Sequence, residues 1–130
     1  MTKSFKGTFR HSDYAEDPPV AGSIEDMISL FRRIDWTAAM HEHAEQQTFP
    51  ELIVERIANG DLFNLQFIGP GDIFQCAAIV TIPKPFLGMD IWIFRERWES
   101  DEIELSADAA IGALAAFGAG DTKQLRGLWP

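Results

Sequence analysis

Apolar positions recur along this chain at two different periods, and the change of period separates helix from strand. Ile24, Met27, Ile28, Phe31 and Ile34 fall three and four residues apart, so they share one stripe of a helix, with Glu25, Asp26, Arg32 and Arg33 off it. Ser23 precedes that stripe and Asp26 follows three residues later, an approximate capping box in which Asp replaces the usual Glu or Gln. From Asp35 to Gln47 the periodicity weakens: Asp35 suits the N-cap of a short second helix with Trp36, Ala39 and Met40 as its buried side. Thr48-Phe49-Pro50 ends it, because the residue before proline is pushed out of the helical region.

The pattern then alternates. Leu52 to Ala58 and Asp61 to Ile68 read as two strands around Asn59-Gly60, the dipeptide best suited to a type I′ turn. Such a turn sets Leu52 opposite Phe67, Val54 opposite Leu65 and Arg56 opposite Phe63, with an apolar face on one side and a more polar face carrying Ile53, Gln66, Glu55 and Asn64 on the other. Gly69-Pro70-Gly71-Asp72 reads as the next turn, and pairing Ile68 with Ile73 continues the apolar face through Phe74, Cys76, Ala78 and Val80. Pro83-Lys84-Pro85 is read as the end of this third strand, since proline donates nothing to a ladder.

A fourth strand is predicted from Met89 to Trp98, with Met89, Ile91, Ile93, Arg95 and Arg97 on one face and Asp90, Trp92, Phe94, Glu96 and Trp98 on the other. Both faces are apolar in their first half and charged or aromatic later, so the strand reads as covered on two sides. Glu102 to Leu105 reads as a short edge strand, and Ser106 as the N-cap of a last helix over Ala107 to Phe117, with Gly118 at its left-handed end. Residues 1–22 mix charges with prolines and show no sustained period, which reads as an irregular arm with a short strand at Lys6 to Arg10; residues 119–130 read as an extended tail. The fold class expected is therefore α+β: a single domain over 1–130, with a four- or five-stranded antiparallel meander and an N-terminal and a C-terminal helix packed on one face.

Composition narrows the function classes. Twenty acidic against 11 basic residues give a net charge of −9, which argues against nucleic acid as a partner because phosphate binding needs a basic patch. Residues 11–61 hold eleven Asp or Glu against Arg32, Arg33 and Arg56, so the acidity is concentrated in the first half. A one-signed surface keeps a protein soluble and also steers it towards an oppositely charged partner. No run approaches the about 18 consecutive apolar residues of a membrane span, and no secretory signal opens the chain, so the expectation is a cytoplasmic protein away from the membrane. Cys76 is the single cysteine; it reads as a small core residue, and one cysteine makes no intrachain disulfide or thiolate cluster.

Candidate chemistry is sparse. His41 and Glu45 are four apart, the spacing of a two-ligand metal site on a helix, but His43 points elsewhere and the remaining ligands have no evident source; an exposed polar helix is the plainer reading. There is no nucleophile elbow, and Gly118-Ala119-Gly120-Asp121 follows a helix where a phosphate loop would open one. No cofactor and no metal ligand set is therefore assigned. The other cluster is Trp92, Phe94 and Trp98 followed by Glu99, Asp101, Glu102 and Glu104: aromatics ringed by carboxylates suit the hot spot of an interface with a basic protein.

In layout, a small acidic protein with an unadorned meander resembles the immunity proteins that bacteria pair with secreted toxins. The resemblance implies a non-enzymatic inhibitor that binds and masks a basic toxin domain. Two other readings stand beside it. One is a small-molecule or metal-dependent enzyme or binding domain with its site near His41, His43 and Glu45, and the other is a homo-oligomeric module that uses the second face of the fourth strand.

Overall fold

The computed structural model describes residues 3–41, 48–69, 71–86 and 89–129, with the side chains of 84–94 outside the described set. The chain runs β1 (Phe5–Arg10), β2 (Val20–Gly22), α1 (Ile24–Arg33), α2 (Trp36–Met40), β3 (Glu51–Arg56), β4 (Leu62–Gly69), β5 (Ile73–Phe86), β6 (Met89–Glu99), β7 (Ile103–Ser106), α3 (Ala107–Ala119) and α4 (Thr122–Arg126). This is α+β with one antiparallel sheet in the order β2-β1-β3-β4-β5-β6, and β7 pairs with β5 beyond the end of β6. The sheet is larger than the expected four or five strands. The difference comes from residues 1–22: the short strand expected at Lys6 to Arg10 forms as β1 and joins the sheet between β2 and β3, with Phe5 and Phe9 pointing into the core on either side of Gly7. Gly7 has no side chain to mark the alternation, and Met27 and Leu30 of α1 occupy the space its Cβ would take.

The β3–β4 hairpin keeps the predicted faces in a different register. Leu52 faces Leu65 and Val54 faces Phe63, a shift of two residues from the expected pairs, and Arg56 has no Phe63 opposite it. Only Gly60 adopts positive φ, at 77°, so the two left-handed residues of a type I′ turn are not both present. The Arg56 carbonyl accepts from Gly60 N–H at 2.8 Å and Arg56 N–H donates to the Asp61 carbonyl at 2.8 Å, which closes a wider loop over Ile57, Ala58, Asn59 and Gly60. Asn59 turns its side chain on Asp61 instead, accepting from Asp61 N–H at 3.0 Å. Asp61 is itself buried and accepts from Thr81 N–H at 3.1 Å and from the Thr81 hydroxyl at 2.9 Å, so its carboxylate extends the β4–β5 ladder past the last strand pair. A slip of two residues leaves every side chain on its own face, which is why the core survives it.

The β4–β5 register is the expected one for Phe67–Phe74, Leu65–Cys76 and Phe63–Ala78, with an irregularity at Gly69 by the turn. Pro83 and Pro85 do not end β5, which runs to Phe86. Beyond Ile79, β5 has no β4 partner and pairs only with β6, and a strand with one open edge tolerates residues that cannot donate.

The helices cover the apolar sheet face. The predicted capping box of α1 is present, with Ser23 Oγ accepting from Asp26 N–H at 3.1 Å and Asp26 Oδ2 from Ser23 N–H at 2.9 Å. Asp35 caps α2 as anticipated, accepting from Ala38 N–H at 3.1 Å, and Trp36 packs among Phe9, Phe31, Phe67 and Phe74. Two expectations at the C-terminus are corrected. The helix α3 passes through Gly118 to Ala119 and is capped by Gly120 at φ 73°, and the supposed tail holds α4, whose N-cap is Asp121 and whose Leu125 is fully buried. Arg56 closes this end of the core: its guanidinium donates to the Phe117 carbonyl at 2.6 Å and lies over the rings of Phe5 and Phe117.

Gly118 is where α3 meets α1. A Cβ there would stand 2.1 Å from Ile24 Cγ1 and 2.6 Å from Ile24 Cβ, far inside contact distance. Gly118→Ala is therefore expected to lower stability by about 1–3 kcal/mol through overpacking, more than the roughly 1 kcal/mol that alanine gains over glycine in a helix. Urea denaturation measures it; equal or higher stability in the variant would mean that α1 can withdraw at no cost.

Candidate functional site

The sheet has a second face, and the register lays it out in transverse rows. Arg10, Glu51, Gln66, Gln75 and Glu104 form one row across β1, β3, β4, β5 and β7. Thr8, Ile53, Asn64 and Ala77 form the next, and Lys6, Glu55, Leu62, Ile79 and Glu99 a third. Among the described residues no helix packs here, and these rows carry an apolar centre of Ile53, Leu62 and Ile79 with charge at both ends. The charges differ between ends: Lys6 pairs with Glu55 at 3.8 Å and Arg10 with Glu51, whereas no described cation pairs with Glu99, Asp101, Glu102 or Glu104, all of them exposed.

The fold therefore divides the predicted cluster. Trp98 faces Val80 on the helix side of the sheet, where it is partly buried beneath Trp129, at 5.4 Å and 80° between rings, with the Arg126 guanidinium 5.6 Å from its centre. Trp129 also donates from Nε1 to the Asp101 carbonyl at 2.6 Å, so the end of the chain clamps the β6–β7 connection. Trp98 is thus a covered ring and part of that clamp. Glu99 points to the opposite face, opposite Ile79, and Glu104 lies beside Gln75. The side chains of Trp92 and Phe94 lie outside the described set. What the structure brings together is the acidic half of the cluster, along the outer edge of β5 that β6 and β7 share.

His41 caps the C-terminal end of α2, is exposed, and lines a cavity of about 460 Å³ with Thr37, Met40, Phe67, Ile68 and Asp72. His43 and Glu45 lie outside the described residues, and among the described residues no three His, Cys, Asp or Glu side chains are placed to hold a metal ion. Cys76 is fully buried, and desolvation pushes its thiol up to about 12, so it is inert at neutral pH. Among the described residues no helix is long and apolar enough to cross a membrane.

No family model, curated protein or solved structure matches the chain. The reading of the site therefore rests on its chemistry.

Sequence reasoning missed Arg10, Glu51 and Asn64, which only strand pairing brings onto the same sheet face as the acidic edge. Glu51 is 6% exposed and shares an ion pair with Arg10. Burial raises its carboxyl above the ordinary 4.5, Arg10 opposes that rise, and the negative charge of Glu102 adds to it. A raised carboxyl takes up its proton in the folded chain at a higher pH than in the unfolded chain. Stability from this group therefore grows as pH falls through the folded value towards 4.5, and is lost as pH rises back through it. Glu102→Gln is expected to bring the Glu51 titration midpoint down, as followed by carboxyl ¹³C NMR, and Glu51→Gln to flatten the stability profile above pH 4.5. An unmoved midpoint would show that Glu102 stands too far away to act on Glu51.

Proposed function

We propose that this chain is a non-enzymatic binding protein that masks a basic protein partner, in the manner of the immunity proteins that neutralise bacterial toxins. The observation that carries this reading is the one-sided edge formed by Glu99, Asp101, Glu102 and Glu104: four exposed carboxylates that no described cation neutralises, on a chain of net charge −9. Elsewhere on the same sheet face the carboxylates of Glu51 and Glu55 are paired within the chain. Charge that no described cation neutralises is available to a complementary surface, where it raises the rate of association and rejects acidic competitors. A cytoplasmic location belongs to this proposal, as does a toxin domain as the partner.

The cavity beside His41 favours one other reading. Its volume of about 460 Å³ and its mixture of Met40, Phe67 and Ile68 with Thr37, His41 and Asp72 fit a small molecule held on an apolar floor by a few polar groups. A fragment screen by NMR separates the two: ligands that shift His41 and Phe67, and lose affinity in His41→Ala, would move the assignment to this cavity.

The primary reading is tested by affinity capture from the native cell, identification of the captured protein, and measurement of its binding to purified variants. The set Glu99→Gln, Asp101→Asn, Glu102→Gln and Glu104→Gln is expected to weaken binding by about tenfold or more, chiefly in the association rate and with a flatter salt dependence. Neutralising three carboxylates elsewhere, Asp13, Glu16 and Asp17 on the β1–β2 loop, serves as the control and is expected to change it little. Equal losses from both sets, or a captured partner that is acidic, would overturn the assignment.

A further inference from the structure

Between the end of β6 and the start of β7 no strand among the described residues pairs with the outer edge of β5 for a short stretch, and a cleft of about 140 Å³ opens there on the sheet face opposite the described helices. Its lining includes Leu62, Asn64, Ala77, Ile79, Glu99 and Ser100. The register explains the space: Asn64 lies opposite Ala77, whose side chain is too small to fill the row, while Leu62, Ile79 and Glu99 stand side by side in the row next to it. Ser100 fixes the open end, donating its N–H to the Ala78 carbonyl at 2.9 Å and accepting from Ala78 N–H on its hydroxyl at 2.8 Å.

One polar group of this cleft is an acceptor in want of a donor. The Asn64 side-chain oxygen is shielded from solvent with no hydrogen-bond partner, an arrangement that costs free energy unless something donates to it. Asn64 lines the cleft, and the terminal torsion of asparagine is broad, so its amide oxygen can turn towards a donor seated there. Glu99 contributes a carboxylate that no described cation pairs with, and the Ser100 hydroxyl keeps a second lone pair after accepting from Ala78. Leu62 and Ile79 supply apolar walls. The volume lies well below the roughly 300–1,000 Å³ of small-molecule sites, so the occupant is the size of one side chain.

We infer that the cleft receives a single cationic side chain, lysine or arginine, of the protein partner: its methylene stem lies along Leu62 and Ile79 and its charged end meets Glu99, Asn64 and Ser100. This rests on the reading of the acidic edge as a surface for a basic partner, and it adds that recognition has one anchoring position within that surface. A long basic side chain suits such a slot because its stem is apolar while its tip is charged.

The test uses fluorescein-labelled hexalysine and hexaarginine as probes of the full chain by fluorescence anisotropy at low salt, with the Asn64 side-chain amide followed by ¹⁵N NMR. Ala77→Ile fills the cleft while leaving every charge in place, and β-branched residues suit a strand. It is expected to weaken the preferred peptide by about tenfold or more, whereas Glu104→Gln, outside the cleft, is expected to cost about fivefold at most. In the unaltered chain the Asn64 amide is expected to shift in step with the anisotropy, which holds the proposal to account even if Ala77→Ile folds poorly. Peptide binding that Ala77→Ile leaves unchanged, or an Asn64 amide that does not move, removes the cleft while the acidic edge stands. Absence of binding to either peptide removes both. The peptide bound more tightly identifies the side chain as lysine or arginine.

Discussion

Strict alternation of side chains across β3, β4 and β5 governs the rest of this structure, because a pleated strand sends successive residues to opposite faces. Leu52, Val54, Phe63, Leu65, Phe74, Cys76 and Ala78 all fall on one face, and that face is the floor on which α1, α2 and α3 rest. The small residues in the floor and in the helices set how closely the layers approach. Gly7 lets Met27 and Leu30 down onto β1, and Gly118 lets Ile24 reach the backbone of α3. Burial of this floor is the main favourable contribution to the fold, and the caps at Ser23, Asp35, Ser106 and Asp121 fix where each helix begins upon it.

The same alternation produces the second face by exclusion. Once the apolar set is committed to the helices, the intervening residues form the rows that end in Lys6 and Arg10 at one side and in Glu99 and Glu104 at the other. The paired end lies on β1 and β3, where β1 has β2 and β3 as its two neighbours; the end without described partners is the outer edge of β5, where β6 stops and β7 begins. Both the acidic edge and the small cleft beside it follow from the division of that edge between two strands. A single longer strand would have closed the gap that Ser100 now spans.

Local signals were read well wherever one short stretch carried the whole cause. The capping box at Ser23, the cap at Asp35, the β4–β5 register and the burial of Cys76 each depend on neighbours in the chain or on a hydrophobic period. The β3–β4 register went astray by two residues because Asn59-Gly60 suggests the tightest turn, while Asp61 is held by Thr81 from a strand that follows it by many residues. The strand at Lys6 to Arg10 is legible in the sequence, but its place in the sheet is not, because Gly7 breaks the visible alternation of β1; α4 escapes notice because a five-residue helix is too short to show a period. The aromatic and acidic residues of the candidate site were legible as a cluster in sequence, yet Trp98 and Glu99 are adjacent residues of one strand and necessarily face opposite ways.

By itself the sequence determined the fold class, the identity of the buried face and the excess of negative charge, since these depend on composition and on periods of two and 3.6 residues. Only the tertiary structure decided which carboxylates are paired and which are left exposed, which side chain covers Trp98, and that Asn64, Ala77, Glu99 and Ser100 meet at one cleft. Those relations join residues far apart in the chain through strand pairing, and pairing is chosen by the total burial of the assembled sheet and helices, a quantity that no local stretch of sequence contains.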